Sequence, residues 1–376
     1  MVDRVAAFTD TYLPTVNGVS YTVRTWRDRW QARGGRMDVA YPAATAYDPA
    51  ALEHPVRSVP FPFYGGYRLG QPRVPDSLSS VDPDVVHAHT PFSIGLAALR
   101  FARRAERPLV ASYHTPAAEY AGYLAPTARL VDGVRRLANG YERRYYDRAD
   151  LVIAPSVTAR QRVLDTLGVS TPVRVVSNGV DTARFRPVDP ATIRERFALE
   201  RDRLLVGYTG RHGHEKRLDE LLAAVAALPG ADAPVTLVVG GDGPARAGLE
   251  RRARELDVDA RFLGFLEREE LPALYSALDV FAFPSPVETQ GLVALESICC
   301  GTPVVAADAG ALAETVIDGE TGYHYPAGDV AAFARALERA LGRRDRLGRR
   351  CLDRRDAYCV DRSLERLDEL YAAVAG

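Results

Sequence analysis

The run Glu288-Thr-Gln-Gly-Leu-Val-Ala-Leu-Glu296 carries the strongest chemical signal in the sequence. It follows the apolar stretch DVFAFPS and leads into a helical pattern. The amides of Gly291, Leu292 and Val293 then fall in the first turn of a helix. They have no intrahelical acceptor there, and the helix dipole favours an anion. Two carboxylates bracket these amides. At ~1.5 Å of helical rise per residue, Glu288 and Glu296 stand roughly 10 Å apart. A carboxylate accepts paired hydrogen bonds from vicinal hydroxyls. The segment has the parts to hold a diphosphate, with a sugar on one side and a ribose on the other.

A second segment, Gly210-Arg-His-Gly-His-Glu-Lys216, leaves the apolar run LLVGYT and enters the helical pattern RLDELLAA. Cations at a helix start oppose the dipole, so Arg211 and Lys216 need an anion to justify them. Of the 48 basic residues, Lys216 is the one lysine. A compact ammonium and a planar guanidinium are not interchangeable at a tight phosphate site. The single exception therefore marks this position.

Two weaker motifs lie nearer the N-terminus. Pro14-Thr-Val-Asn17-Gly18-Val19 stands between the first strand and the first helix. Gly18 lets backbone approach a ligand, and a helix start adds free donors. Ser112-Tyr113-His114-Thr115 ends another strand, where His114 can bond a sugar hydroxyl or a backbone group. Other candidates read as structural. Asp82-Pro-Asp84 has the D-x-D spacing of a metal site, but its proline and position before a strand make it a turn. His87 and His89 alternate on a strand without an acidic partner at metal spacing, so packing is expected. Residues 240–250, GGDGPARAGLE, lack both G-x-G-x-x-G and a lysine, and read as a strand-to-helix turn. Cys299, Cys300, Cys351 and Cys359 form no C-x-x-C pair. No zinc site, and no metal site of any kind, is expected.

The elements that must position these residues follow from periodicity. Short apolar runs at 4–8, 37–41, 84–89, 108–113 and 150–155 read as buried parallel strands, with helical patterns at 19–33, 93–105, 118–148 and 156–167. The plan repeats with strands at 204–210, 235–241, 260–265, 279–285 and 302–308. Helices are expected there near 217–228, 244–257, 268–277 and 291–300. This alternation implies an α/β fold with parallel sheets. The 376 residues suit two domains. The expected boundaries are a first domain at 1–176, a linker at 177–198, a second domain at 199–357 and a closing helical segment at 358–376. In such sheets ligands collect at the carboxyl ends of the strands. Two domains facing across a cleft would share one ligand. The formal net charge of −1 gives no footprint for nucleic acid. No run of 18 apolar residues offers a membrane span. The N-terminus lacks the marks of a secretory leader, so a cytoplasmic protein is expected.

Taken together, these segments resemble the retaining glycosyltransferases of family 4. The resemblance extends over FTDTYLPTVNGV, VHAHTPFSIG, SYHT, SNGVDTARFRP, GRHGHEK, GGDGP, FLGF, the E-x7-E segment, GTPVVA and DGETGY. It implies the GT-B fold, two Rossmann-like domains facing across a cleft, with an acceptor-binding first domain and a nucleotide-sugar-binding second one. The closing helix would cross back to the first domain. Arg211 and Lys216 would hold the diphosphate, helped by Asn17, Gly18, Gly210, Gln290 and the amides of Gly291, Leu292 and Val293. Glu296 would take the ribose, Glu288 the transferred sugar, and Leu263, Gly264 and Phe265 the base. Catalysis would rest on His114, Arg211, Lys216 and Glu288. The reaction would move a hexosyl group, with retention, from UDP-glucose or GDP-mannose to a hydroxyl acceptor, with no cofactor and no metal. Two features depart from the family pattern: Arg217 stands where glycine usually follows the lysine, and Gln290 replaces a common phenylalanine.

The acceptor stays open between a membrane glycolipid precursor and a soluble saccharide. Residues 59–73 mix aromatics and arginines. The stretch 118–148 carries Tyr120, Tyr123, Arg129, Arg135, Arg136, Arg143, Arg144, Tyr145 and Tyr146. Such a surface suits peripheral contact with anionic lipid on the inner face of the cell membrane. A nucleotide-sugar epimerase on the same fold is the alternative enzyme class; it needs acid–base groups around the sugar, and only His114 and nearby Glu119 offer them.

Overall fold

The computed structural model describes residues 2–61, 67–120, 128–228 and 234–376. Of the lipid-facing candidates, Tyr123 and residues 62–66 lie outside the described residues, as do the side chains of Glu119, Tyr120 and Arg129. The chain divides into two compact units, Met1–Asn178 with Val360–Gly376, and Gly179–Cys359. Ser177 and Asn178 thus fall in the first unit. Residues 179–198 belong to the second, with Phe185 and Ile193 buried in its core.

In the first unit the strands are β1 (Arg4–Phe8), β2 (Arg36–Pro42), β3 (Glu53–Val56), β4 (Ser58–Pro60), β5 (Arg68–Gly70), β6 (Val85–Ala88), β7 (Leu109–Ser112), β8 (Leu151–Ala154) and β9 (Val173–Val175). Seven of them form one parallel sheet in the order β3-β2-β1-β6-β7-β8-β9, while β4 and β5 pair antiparallel. Burial on both faces explains the continuous apolar runs. Successive side chains of β1 point to opposite faces: Ala6 and Phe8 enter one core and Val5 and Ala7 the other. That second core includes Trp26 and Trp30 from the helix Gly18–Ala32. The closing helix, Val360–Ala375, adds Val360, Leu364, Leu367 and Tyr371 to it. Their i, i+4, i+7, i+11 spacing puts them on one helical stripe.

The second unit has β10 (Leu204–Thr209), β11 (Val235–Gly240), β12 (Ala260–Gly264), β13 (Val280–Phe283), β14 (Val304–Ala307) and β15 (Gly322–Tyr325). They form one parallel sheet in the order β12-β11-β10-β13-β14-β15. Both units are Rossmann-like α/β layers. In each, the strand order reverses beside the first strand, between β1 and β6 and between β10 and β13. This reversal is where the carboxyl ends of a parallel sheet open a crevice for ligands.

The stretch 118–148, expected as one helix, is described on either side of residues 121–127, which lie outside the described residues. A 3-10 turn at Ala117–Tyr120 comes first, and an α-helix runs Ala128–Tyr146. The helix expected at 156–167 is α-helical only over Val157–Gln161 and continues as a π-turn to Thr166.

Candidate active site

The two strongest sequence motifs leave the two strands that flank the reversal in the second unit. The Gly210–Lys216 loop follows β10 and the Glu288–Leu292 segment follows β13. Glycines make the first loop pack. Gly210 has φ +141°, and a Cβ on Gly241 would lie 2.0 Å from the Gly210 carbonyl oxygen. The Gly210 amide donates to the Gly240 carbonyl (3.2 Å) and the His212 amide to that of Asp242 (2.8 Å). The 240–244 loop, expected as a plain turn, is thus a brace for the cationic loop. Lys216 ends a single 3-10 turn, and Arg217 after it adopts φ +50°. This left-handed geometry is what glycine supplies without strain, which explains physically why arginine is an unusual follower there.

Lys216 reaches across to the neighbouring segment. Its Nζ lies 2.5 Å from Glu288 Oε1, with the two side chains 21% and 15% exposed. The Glu288 backbone is fixed from outside: its carbonyl accepts the Ala311 amide at 3.1 Å. Arg211 is half-buried; burial lowers its pKa from the ordinary value, and the Glu215 charge pulls it back up.

Gly291 caps the helix Leu292–Cys299 with φ +78°, and a Cβ there would stand 2.6 Å from Leu312 Cδ2. The Ala294 amide bonds the Gly291 carbonyl. Among the described residues, none accepts from the amides of Gly291, Leu292 or Val293. Glu288 lies three residues before the cap, so helical rise does not measure its distance from Glu296. Gln290 is buried, and its carbonyl accepts the Thr315 hydroxyl at 2.8 Å.

Glu296 is not at the helix surface but buried, 3% exposed. Its Oε1 lies 3.2 Å from Arg268 Nη1, and its Oε2 accepts from the Tyr275 hydroxyl at 3.1 Å. Sequence reasoning missed both partners. Arg268 sits in the run EREE, which reads as a solvated helix start, and Tyr275 reads as core. Leu263 and Gly264 end β12; the Gly264 carbonyl accepts the Gly241 amide at 2.7 Å, and Phe265 beyond them is 52% exposed.

Asn17, Gly18 and His114 belong to the first unit. Asn17 is an N-cap: its Oδ1 accepts the Ser20 amide at 2.9 Å, and its Nδ2 donates to Thr11 Oγ1 at 2.7 Å. Its side chain is thus spent on the helix start. Gly18, the first helical residue, is exposed. His114 stacks on His89, with ring centroids 5.4 Å apart, and shares a 3.1 Å contact with its Nδ1. His89 in turn stacks on His87 at 4.1 Å. His87 bonds the Tyr371 hydroxyl of the closing helix and Ser112 Oγ. Burial pushes His87 down to about 3 and His114 to about 4, so near neutral pH both are uncharged. His87 and His89 do pack at the strand end, but as one stack with His114. Asp10, which sequence reasoning passed over, accepts from Ser93 Oγ and the Ile94 amide, both at 2.8 Å, and caps the helix Ser93–Ala105. Asp84 accepts the Asp3 and Arg4 amides and Asp82 pairs with Arg107, so the D-x-D carboxylates are structural. Among the described residues no group of three His, Cys, Asp or Glu side chains is arranged to hold a metal.

Comparison with known proteins gives a consistent picture. The family model for glycosyltransferase family 4 matches residues 16–184, and that for glycosyl transferases group 1 matches 189–351. An alpha-monoglucosyldiacylglycerol synthase of Streptococcus pneumoniae is 30% identical over 81% of this chain and 70% of its own. A GDP-mannose-dependent alpha-(1-6)-phosphatidylinositol dimannoside mannosyltransferase of Mycobacterium tuberculosis is 34% identical, covering 78% of this chain and 75% of its own. Among solved structures, sucrose-phosphate synthase from Thermosynechococcus elongatus superposes with a TM-score of 0.78 at 23% identity, over 98% of both chains. Anabaena HepE in complex with UDP and glucose gives 0.75 at 20%, over 98% of this chain and 100% of its own. These superpositions show a shared fold.

Gly291 offers a test of the cap. Gly291→Ala meets both the positive φ and Leu312, whereas Gly319→Ala meets only a positive φ, with nothing within 4 Å of the new Cβ. Denaturant titration followed in the second unit should show a loss of about 1–2 kcal/mol for Gly319→Ala. Gly291→Ala should lose about 1–3 kcal/mol more from overpacking. Equal losses would mean that Leu312 does not press on the cap.

Proposed function

The chain belongs to glycosyltransferase family 4 and is a glycosyltransferase of the two-domain GT-B class, and from that premise we propose that its second unit holds the diphosphate of a nucleotide-sugar donor on Lys216, Arg211 and the amides of Gly291–Val293. The observation that carries this reading is the meeting of the one lysine with Glu288 beside three amides that have no acceptor among the described residues. The donor replaces each half of that ion pair. Its diphosphate takes the ammonium, and hydroxyls of its sugar take the carboxylate. Glu296 receives the ribose, and Leu263–Phe265 flank the base.

As the glycosidic bond breaks, negative charge grows on the leaving phosphate. Lys216, Arg211 and the helix amides would stabilise that charge, and electrostatic stabilisation of this kind carries most of the rate. The hexosyl group passes to the acceptor with retention. UDP-glucose and GDP-mannose are the donors to set against each other, and the chemistry needs neither cofactor nor metal. Lys216→Ala and Glu288→Ala should each lower turnover by roughly 100-fold or more with unchanged circular dichroism. Near-normal rates in either would overturn the assignment.

The acceptor we propose is a hydroxyl on a membrane lipid, reached from the inner face of the membrane. The helix Ala128–Tyr146 supports this. Leu130, Leu137 and Tyr141 are 54%, 77% and 39% exposed. Their i, i+7, i+11 spacing makes one stripe, with exposed Arg144 beside it and exposed Arg135, Arg136 and Arg143 further round the helix. An apolar stripe on a helix rich in exposed cations suits an anionic bilayer surface. No helix among the described residues is long and apolar enough to cross a membrane. The names of the two relatives favour the same reading: one is a synthase that makes a monoglucosyldiacylglycerol, the other a phosphatidylinositol dimannoside mannosyltransferase. In flotation with phosphatidylglycerol vesicles at low salt, the chain should float and Leu137→Asp should not. Equal flotation of both, or of neither, would remove this helix as the contact.

A further inference from the structure

Glu296 is held in a way that exceeds what a buried helix residue needs. It lies inside the helix Leu292–Cys299 with 3% of its surface exposed. Arg268 meets one oxygen and Tyr275 the other. The Tyr275 hydroxyl is itself fixed by Thr209 Oγ1 at 2.8 Å, on the last residue of β10. Arg268 is braced from behind, its guanidinium carbon 4.9 Å from the ring centroid of the fully buried Phe185. A carboxylate oxygen has two acceptor positions. Among the described residues each oxygen of Glu296 meets one partner, which leaves a second acceptor position on each for two adjacent hydroxyls arriving together.

We propose that Arg268 and Tyr275 are positioning residues for the donor ribose: Tyr275 orients the Glu296 carboxylate, and Arg268 keeps it ionised so that both oxygens accept from the vicinal hydroxyls. This rests on the reading above that Glu296 faces the ribose. The physical need is plain. Burial raises the Glu296 pKa, and Arg268 and Tyr275 oppose the rise, with a weaker pull from Arg184. Other ionisable groups near it are Cys299 and Cys300, whose thiols burial holds far from titration, and Arg355 beside those cysteines. Arg268 is thus the main charge that favours the ionised form. A protonated Glu296 turns one acceptor oxygen into a hydroxyl and no longer matches two donors.

The test compares nucleoside diphosphates with their 2′-deoxy forms by calorimetry on the full chain from pH 6 to 9, using UDP and GDP. The ratio of the two affinities cancels titration of the phosphate. For the natural chain we expect the ribose form to be favoured roughly tenfold or more, evenly across the range. In Arg268→Gln the ratio should fall towards one at pH 6 and recover as pH rises, because the unsupported carboxyl ionises only at higher pH. Arg268→Lys should restore the even profile, and Tyr275→Phe should lower the ratio by a similar factor at every pH. An Arg268→Gln ratio equal to the natural one at every pH overturns the inference, as does a lowered ratio that ignores pH and is not rescued by lysine. If Arg268→Gln does not fold, the lysine and phenylalanine variants decide: a Tyr275→Phe ratio equal to the natural one overturns the inference. A natural chain that binds the diphosphates without preferring ribose, with Glu296→Gln unchanged from it, rejects instead the reading of Glu296 on which this rests.

Discussion

A parallel sheet whose strand order reverses beside its first strand constrains everything else in the second unit. The reversal puts the ends of β10 and β13 side by side, and the only lysine of the chain then meets Glu288 across that seam. Neither residue forms the site alone. Lys216 is delivered by a loop whose glycines allow a second loop to lie against it, and Glu288 by a backbone held through Ala311. An ion pair at this degree of exposure contributes little to stability. On the proposed reading its value lies in placing a cation and a carboxylate where a ligand with both a phosphate and hydroxyls would exchange with each.

Around this pair the unit separates two kinds of carboxylate. Glu288 is partly exposed and paired with a lysine that a ligand can take over. Glu296 is sealed inside, with a tyrosine and an arginine fixing its oxygens. The difference follows from position. One precedes the helix cap and the other faces inward from the second turn, so the same residue type serves two roles through its surroundings. The first unit shows a parallel economy of charge. Its three stacked histidines are buried, two of them against Trp26, and burial disfavours the charged ring.

Much of this was legible in the sequence, for a physical reason. Strands buried on both faces must be continuously apolar, so RVAAF, LVIA and VFAF announced themselves, and the loops after them could be placed at strand ends. The strands that sequence reasoning missed, β3, β4, β5, β9 and β15, all have a single neighbour in their sheets. An edge strand has a single neighbour and tolerates mixed residues such as Glu53-His-Pro-Val, so no apolar run betrays it. Loop motifs with unusual types at fixed spacing were also legible: a lone lysine, and glycines before a helix. What escaped was long-range pairing. Nothing local to Arg268 indicates that it closes on a glutamate 28 positions later, and nothing local to His114 indicates that it stacks on His89, which stacks in turn on His87. Asn17 shows a different ambiguity, since a residue type that suits a ligand is equally suited to capping a helix, and its Oδ1 accepts the Ser20 amide.

The most direct measurement is a crystal structure of the chain with its donor's nucleoside diphosphate bound. The account predicts phosphate oxygens within hydrogen-bond distance of Lys216 Nζ and of the Leu292 and Val293 amides, with the Lys216–Glu288 contact opened. A diphosphate bound elsewhere, with Lys216 still closed on Glu288 and those amides facing solvent, would contradict it.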